Sequence, residues 1–192
     1  MMAGNNWGNF LMYYDTEAPP ETRQATLPFN PFKALVAPRP IGWISSLDAS
    51  GVVNLAPYSY FQAVADNPDI LMFSATPELD TSGGAVSFGS GRKHSESNAK
   101  IGGEFVCNLV TLPLAKQMNA TSSHLPAGVS EADAAGIELA ASSKVAVPRV
   151  AAAPAAIECV VVDVHPVRHR GGDHHCDQPA VVAGVAVLHG YQ

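Results

Sequence analysis

The chain has 192 residues, 47% of them hydrophobic and 15% charged, with a formal net charge of -6. That length carries one domain with a full core, and the composition excludes a disordered chain. The acidic balance excludes nucleic acid as a partner, because phosphate backbones are repelled; an anionic ligand needs a local cationic or backbone site.

Residues 1–28, rich in Gly, Asn and Pro, read as an extended N-terminal arm, and residues 29–192 as one domain. Met1 to Phe10 lacks the basic residues and apolar core of a signal or transit peptide. No apolar run approaches membrane-spanning length, so no membrane association is expected. Cys107, Cys159 and Cys176 are odd in number and have no CxxC spacing, which fits free thiols in a reducing cytoplasm. Asn119-Ala120-Thr121 matches a glycosylation acceptor by chance on that reading.

Periodic structure begins after Asn30-Pro31. Pro40 to Leu47 reads as a strand, closed by the turn signal Asp48-Ala49-Ser50-Gly51, with Val52 to Leu55 as its hairpin partner. Ala56 to Phe61 is an irregular aromatic segment, Asp66-Asn67-Pro68 a turn, and Ile70 to Ala75 a buried strand. Thr76 to Arg92 is a long Gly/Ser-rich loop, a length that is usually functional or mobile. His94 to Gly102 is a short helix, Glu104 to Val110 a strand, Pro113 to Ser122 helical, and Glu131 to Ala135 a further helical turn. Ala155 to His165 and Ala180 to His189 are strands flanking a polar loop, Arg168 to Pro179. Hairpin-like links and few helices predict a mainly antiparallel barrel rather than a Rossmann sheet.

Three segments are more specific than a generic barrel needs. Ala37 to Ser46 carries Gly42 inside a strand, which permits close approach of a ligand or another backbone. Asn54 to Phe61 places amide, hydroxyl and aromatic groups at a strand end. Gly89 to Ser95 combines glycines and two cations before a helix start, which suits a phosphate but lacks the spacing of a nucleotide triphosphate loop. Taken singly, Trp43 is more often core than cofactor wall, Ser45 and Ser46 are ordinary strand residues, and Gly89 to Lys93 is more often a mobile loop.

Together and in order, these segments resemble the flavin reductase-like family of FMN-binding split barrels. The stretches that carry the resemblance are NPFKALVAPRPIGWISSLDASGVVNLAPYSYFQAVADNPDILMFSA, RKHSESN, GEFVCNLVT, LAKQMNATS, LPAGVSEADAAGIELA, PRVAAAPAAIECVVVDV and VVAGVAVLHG, from about Asn30 to His189. The resemblance implies a six-stranded antiparallel split barrel with short peripheral helices. It also implies a homodimer with non-covalent FMN at the subunit interface and NAD(P)H as co-substrate. Ser45, Ser46 and Leu47 would meet the polar edge of the isoalloxazine; Asn54, Pro57, Tyr58, Ser59 and Tyr60 would line the ribityl and ring region; Lys93 and Ser95 would meet the phosphate. Two features depart from the pattern. His94 stands where many relatives carry an acid, and relatives continue past VVAGVAVLHG with a further segment. Hydride passes from nicotinamide to flavin in such a reductase, so no side-chain nucleophile or base is required and no catalytic residue is named.

Reduced flavin could then pass to a partner oxygenase. An electron-transfer flavoprotein or a reductase of another small molecule is the alternative within redox chemistry. A metal-binding module is the alternative of another class, resting on His165, His169, His174, His175, Cys176 and Asp177. A solvated loop accounts better for that cluster, since the His165/His169 spacing falls at a strand end. A barrel scaffold without flavin is the third reading.

Overall fold

The computed structural model describes residues 14–15, 18–27, 31–75, 79–80, 87–88, 94–123, 125–126, 128–167 and 178–190. The chain divides into two compact units, Met1–Pro38 and Arg39–Gln192. The first holds two short helices, α1 (Pro20–Thr26) and α2 (Phe32–Leu35). Proline at the first turn favours α1, so part of the expected extended arm is helical.

The second unit holds β1 (Gly42–Leu47), β2 (Val53–Tyr58), β3 (Phe61–Asp66), β4 (Asp69–Ser74), β5 (Leu79–Asp80), β6 (Ser87–Phe88), α3 (His94–Gly102), β7 (Glu104–Asn108), α4 (Ala115–Ala120), α5 (Glu131–Ala134), β8 (Leu139–Ala140), β9 (Arg149–Val150), β10 (Ala155–Val167) and β11 (Gln178–Gly190). A 3₁₀ turn at Leu112–Leu114 leads into α4. The main sheet is antiparallel throughout, in the order β2-β1-β7-β10-β11-β4-β3, while β5 pairs with β6 and β8 with β9. Among the described residues, none of the helices is long and apolar enough to cross a membrane.

The sheet has seven strands, not the expected six. The additional one is β3, of which the sequence reading covers only the ends, Phe61 in an aromatic segment and Asp66 in a turn. All its residues beyond Phe61 are exposed, so it lacks the two-residue alternation that marks a half-buried strand. Pairing with β4 defines it. β2 likewise runs further than expected, through Pro57, which is tolerated because β2 is an edge strand.

The sheet is strongly curled. β2 and β4 stand five places apart in strand order, about 24 Å if the sheet were flat at ~4.8 Å per strand. Yet the rings of Tyr58 on β2 and Phe73 on β4 lie 5.0 Å apart, and Phe73 meets Phe105 of β7 edge-on at 5.1 Å. A Cβ on Gly42 of β1 would fall 2.6 Å from Phe61 of β3. The close approach that Gly42 permits is therefore made by a side chain from the far edge of the sheet.

Strand alternation sorts the core into two faces. Ile44, Tyr58, Phe73, Phe105, Cys107 and Cys159 fill the interior together with Ala99 of α3. Trp43 and Leu55 face outward under Leu114, Ala132, Ile137 and Val150. Val106 and Ala156 face outward under Val145 and Val147. Burial pushes the Cys107 thiol up to about 12 and raises Cys159 as well. Both are buried free thiols.

Candidate functional site

β1 alternates across the barrel wall, so Ser45 and Ser46 serve opposite faces. Both are fully buried. Ser45 Oγ donates to the Pro148 carbonyl at 2.7 Å and accepts from Asn108 Nδ2 at 3.3 Å. Asn108 also donates to the Trp43 carbonyl at 3.0 Å and accepts from Val150 N at 2.7 Å. Ser46 Oγ, on the inner face, accepts from Asn98 Nδ2 of α3 at 3.2 Å. The two hydroxyls thus fix the outer 148–150 segment and the inner helix α3. Leu47 is half-buried and packs against the Val106 cluster.

Asn54 of β2 points inward and donates to Ser95 Oγ at 2.5 Å, tying the edge strand to the start of α3. Nearby, Trp43 Nε1 donates to Thr121 Oγ1 at 2.9 Å, and Thr121 Oγ1 donates to the Met118 carbonyl at 2.7 Å. This anchors the end of α4 to β1 and sets the following serines beside β2. As an edge strand, β2 leaves alternate backbone groups unpaired by the sheet. Glu131 Oε2 accepts from one of them, Leu55 N, at 3.0 Å. Ser130 caps α5, accepting from Asp133 N at 3.3 Å, and so holds Glu131 in place.

The result is a small polar cavity of about 80 Å³ walled by Asn54, Pro57 and Tyr58 of β2, His94 of α3, Thr121–Ser123 and Glu131. A larger groove of about 730 Å³ lies between Ile41, Phe61, the 107–112 segment, Met118 and Ala155–Ile157. It is predominantly apolar, with Asn108 and Thr111 among its few polar groups. No residue lines both, but neighbouring stretches of chain do: Tyr58 lines the polar cavity and Phe61 the groove, and Met118 of α4 lines the groove while Thr121–Ser123, which follow α4, line the cavity.

Of the residues singled out from sequence, Asn54, Pro57 and Tyr58 converge on the polar cavity, with Ser95 directly behind Asn54. Ser59 and Tyr60 form the half-buried bend between β2 and β3. Ser45 and Ser46 are engaged within the barrel wall, and Leu47 lies on its outer face. Lys93 and residues 168–177 of the His-rich loop fall outside the described residues. Tyr58 is 4% exposed and packs against Phe73 inside the barrel, the two rings tilted by 48°. Among the described residues there is no group of three or more His, Cys, Asp or Glu side chains arranged to hold a metal.

Sequence reasoning did not select His94, Ser122, Ser123 or Glu131 as site residues. MNATS and PAGV stand out as corroborating segments, but nothing in one sequence reveals that α4 and α5 both close on β2. The apolar groove left no sequence signal, since its walls read as core.

Comparison with known proteins is consistent with this geometry. Residues 35–186 match the family model described as flavin reductase like domain. An uncharacterised protein of Deinococcus radiodurans is 36% identical over 151 residues, covering 77% of this chain and 61% of the relative. The chain thus spans about three fifths of that protein's length. Nitrilotriacetate monooxygenase component B from Bacillus cereus superposes with a TM-score of 0.74 at 27% identity, over 92% of this chain and 79% of the other. A protein of Shewanella frigidimarina with a split barrel domain superposes with a TM-score of 0.70 at 16% identity, over 94% and 81%. The last likeness identifies the fold as a split barrel.

Proposed function

From the flavin reductase-like family, to which this chain belongs on its match over residues 35–186, we propose that it binds FMN without a covalent link and works as an NAD(P)H-dependent flavin reductase. The observation that carries this reading is the occurrence of two unlike cavities lined by neighbouring stretches of chain. The polar cavity, at about 80 Å³, is far smaller than the groove. That suits a phosphate or a pair of hydroxyls and excludes a tricyclic ring. The groove has the size and apolar lining of a small-molecule site and suits a flat ring. Asn54, Ser122, Ser123 and Glu131 supply donors and acceptors for a polyol, and Lys93, which immediately precedes α3 in the sequence, would bring positive charge.

Bound flavin supplies the redox chemistry, taking hydride from a reduced nicotinamide and passing electrons onward. The protein's share is to hold the tail, shelter the ring and leave one face open. The Bacillus cereus neighbour is one component of a monooxygenase, which supports transfer of reduced flavin to a partner oxygenase. A homodimer completes the reading. Met72, Val160 and Val162, on β4 and β10, are 36%, 45% and 63% exposed, and Val64 on edge strand β3 is 54% exposed. Apolar exposure of this kind suits burial against a second copy.

The test is titration of FMN and riboflavin against wild type and Lys93→Ala. Loss of a charge-assisted phosphate contact costs about 1.5–3 kcal/mol, on the order of tenfold to a hundredfold in FMN affinity, with riboflavin unchanged. Equal losses for both ligands, or none, refute the role of Lys93. FAD binding more tightly than FMN refutes the choice of cofactor. NAD(P)H oxidation that free flavin does not stimulate favours an electron-transfer flavoprotein over a reductase.

A further inference from the structure

The walls of the apolar groove are chemically selective. Among the described residues that line it, none carries a charge. Its polar side chains are Cys107, Asn108 and Thr111. Burial pushes the Cys107 thiol up to about 12, so it is neutral. The Asn108 amide is engaged within the barrel wall: Nδ2 donates to the Trp43 carbonyl and to Ser45 Oγ, and Oδ1 accepts from Val150 N. The Thr111 hydroxyl makes no bond to the 3₁₀ turn that follows it and has no partner among the described residues. It alone, on the described walls, is a polar side chain left to address a ligand. The rim is apolar as well: Ile41, Leu109 and Leu112 line the groove and are 38%, 53% and 88% exposed. A ligand that fills this space must be uncharged, since a charge would lose its water without gaining a partner. It must also offer an apolar body to the rim and one hydrogen-bonding oxygen to Thr111.

Building on the flavin reading, we propose that the groove is also a substrate site, for an uncharged quinone that stacks on the open face of the flavin ring and is reduced there to its hydroquinone. One quinone carbonyl accepts from the Thr111 hydroxyl, and the hydrocarbon part of the ring lies against Leu109 and Leu112. Among uncharged carbonyl compounds, the walls favour a quinone over an enone. Reduction of an enone requires a proton delivered to carbon, and no described groove residue is an acid suited to that. A quinone takes its protons on oxygen, where solvent supplies them. Atoms and electrons balance with the co-substrate already invoked: NAD(P)H, one proton and the quinone give NAD(P)⁺ and the hydroquinone. The dihydronicotinamide is oxidised as its reactive C–H bond breaks, and two electrons pass by way of the flavin to the quinone. Both quinone carbonyls become hydroxyls, with one proton from that C–H bond and one from solvent.

The experiment compares, on the FMN-loaded protein with NADH or NADPH, the reduction of menadione and of the naphthoquinone that carries a sulfonate in place of its methyl group. The sulfonate withdraws electrons and makes its quinone the stronger oxidant, so reduced flavin free in solution reacts with it at least as readily as with menadione. The groove should reverse that order, with kcat/KM for menadione higher by about tenfold or more. Leu112→Lys, at the exposed rim, gives the sulfonate a counter-charge and should narrow the ratio several-fold. Thr111→Val should lower kcat/KM for menadione by about fivefold, the value of one hydrogen bond, and Thr111→Ser should restore it. Both are measured relative to ferricyanide, an anion that takes electrons without entering the groove, so a general loss of flavin or of folding cancels. A sulfonate reduced as readily as menadione, a ratio unmoved by Leu112→Lys, a Thr111→Val protein as active as wild type, or cyclohexenone reduced as readily as menadione overturns the proposal while leaving the flavin reading intact. Wild type that binds no FMN overturns the flavin reading and the proposal together.

Discussion

Replacing Gly42 with alanine tests how the barrel closes. A Cβ at this position would lie 2.6 Å from Phe61 Cδ2 and 2.9 Å from its Cγ. Those atoms sit at the base of the ring, so no simple rotation of a flexible end relieves the clash. In an ordinary strand the change would gain about 0.5–1 kcal/mol, because glycine weakens a strand interior. Here overpacking costs about 1–3 kcal/mol and wins. For a chain of this size that lowers Tm by roughly 2–4 °C per kcal/mol. Phe61 also lines the apolar groove, so a displaced ring weakens flavin binding as well. Thermal denaturation of Gly42→Ala, Phe61→Leu and the double variant forms the cycle, in which the glycine substitution should cost clearly less once residue 61 is smaller. A Gly42→Ala protein as stable as wild type, or a cycle with no coupling, refutes the closure described here.

Glu158→Gln should destabilise by about 2–4 kcal/mol. The buried carboxylate accepts from Ser143 N and Lys144 N at 2.6 Å and Val145 N at 3.2 Å; an unchanged urea midpoint would refute this. Cys107, with its thiol pushed up to about 12, should resist alkylation at pH 8 in the native protein and react on unfolding, as mass spectrometry of the labelled peptide will show. Asn54→Ala removes the Ser95 contact and should lower stability by about 1–2 kcal/mol while weakening FMN and riboflavin alike. Light scattering should give the mass of a dimer, and Val162→Asp should shift it towards monomer.

The sequence exposes what repeats locally. The β1–β2 hairpin is legible from its apolar strand and the Asp48–Gly51 turn, and β10 and β11 from their apolar runs. β3 is hidden because its side chains beyond Phe61 are exposed and only its pairing to β4 makes it a strand. The Ser45-Ser46 pair is visibly unusual, yet its partners lie far along the chain at Pro148 and Asn98, so its internal bonding could not be read. The same holds for Glu158, which holds the 143–145 loop, and for Glu104, which accepts from Ala146 N. Asn54, Pro57 and Tyr58 were identifiable as a cluster because they are neighbours in sequence. His94, Ser122, Ser123 and Glu131 join them only through the packing of three separate helices onto β2.

The most direct test of the central claim is an equilibrium titration of the purified, flavin-free chain with FMN, followed by quenching of flavin fluorescence and by the visible absorption of the bound ligand. Saturable binding, with a spectrum displaced from that of free flavin and tighter for FMN than for riboflavin, is the predicted result. A chain that leaves FMN fluorescence and absorption unchanged at every concentration would contradict the account.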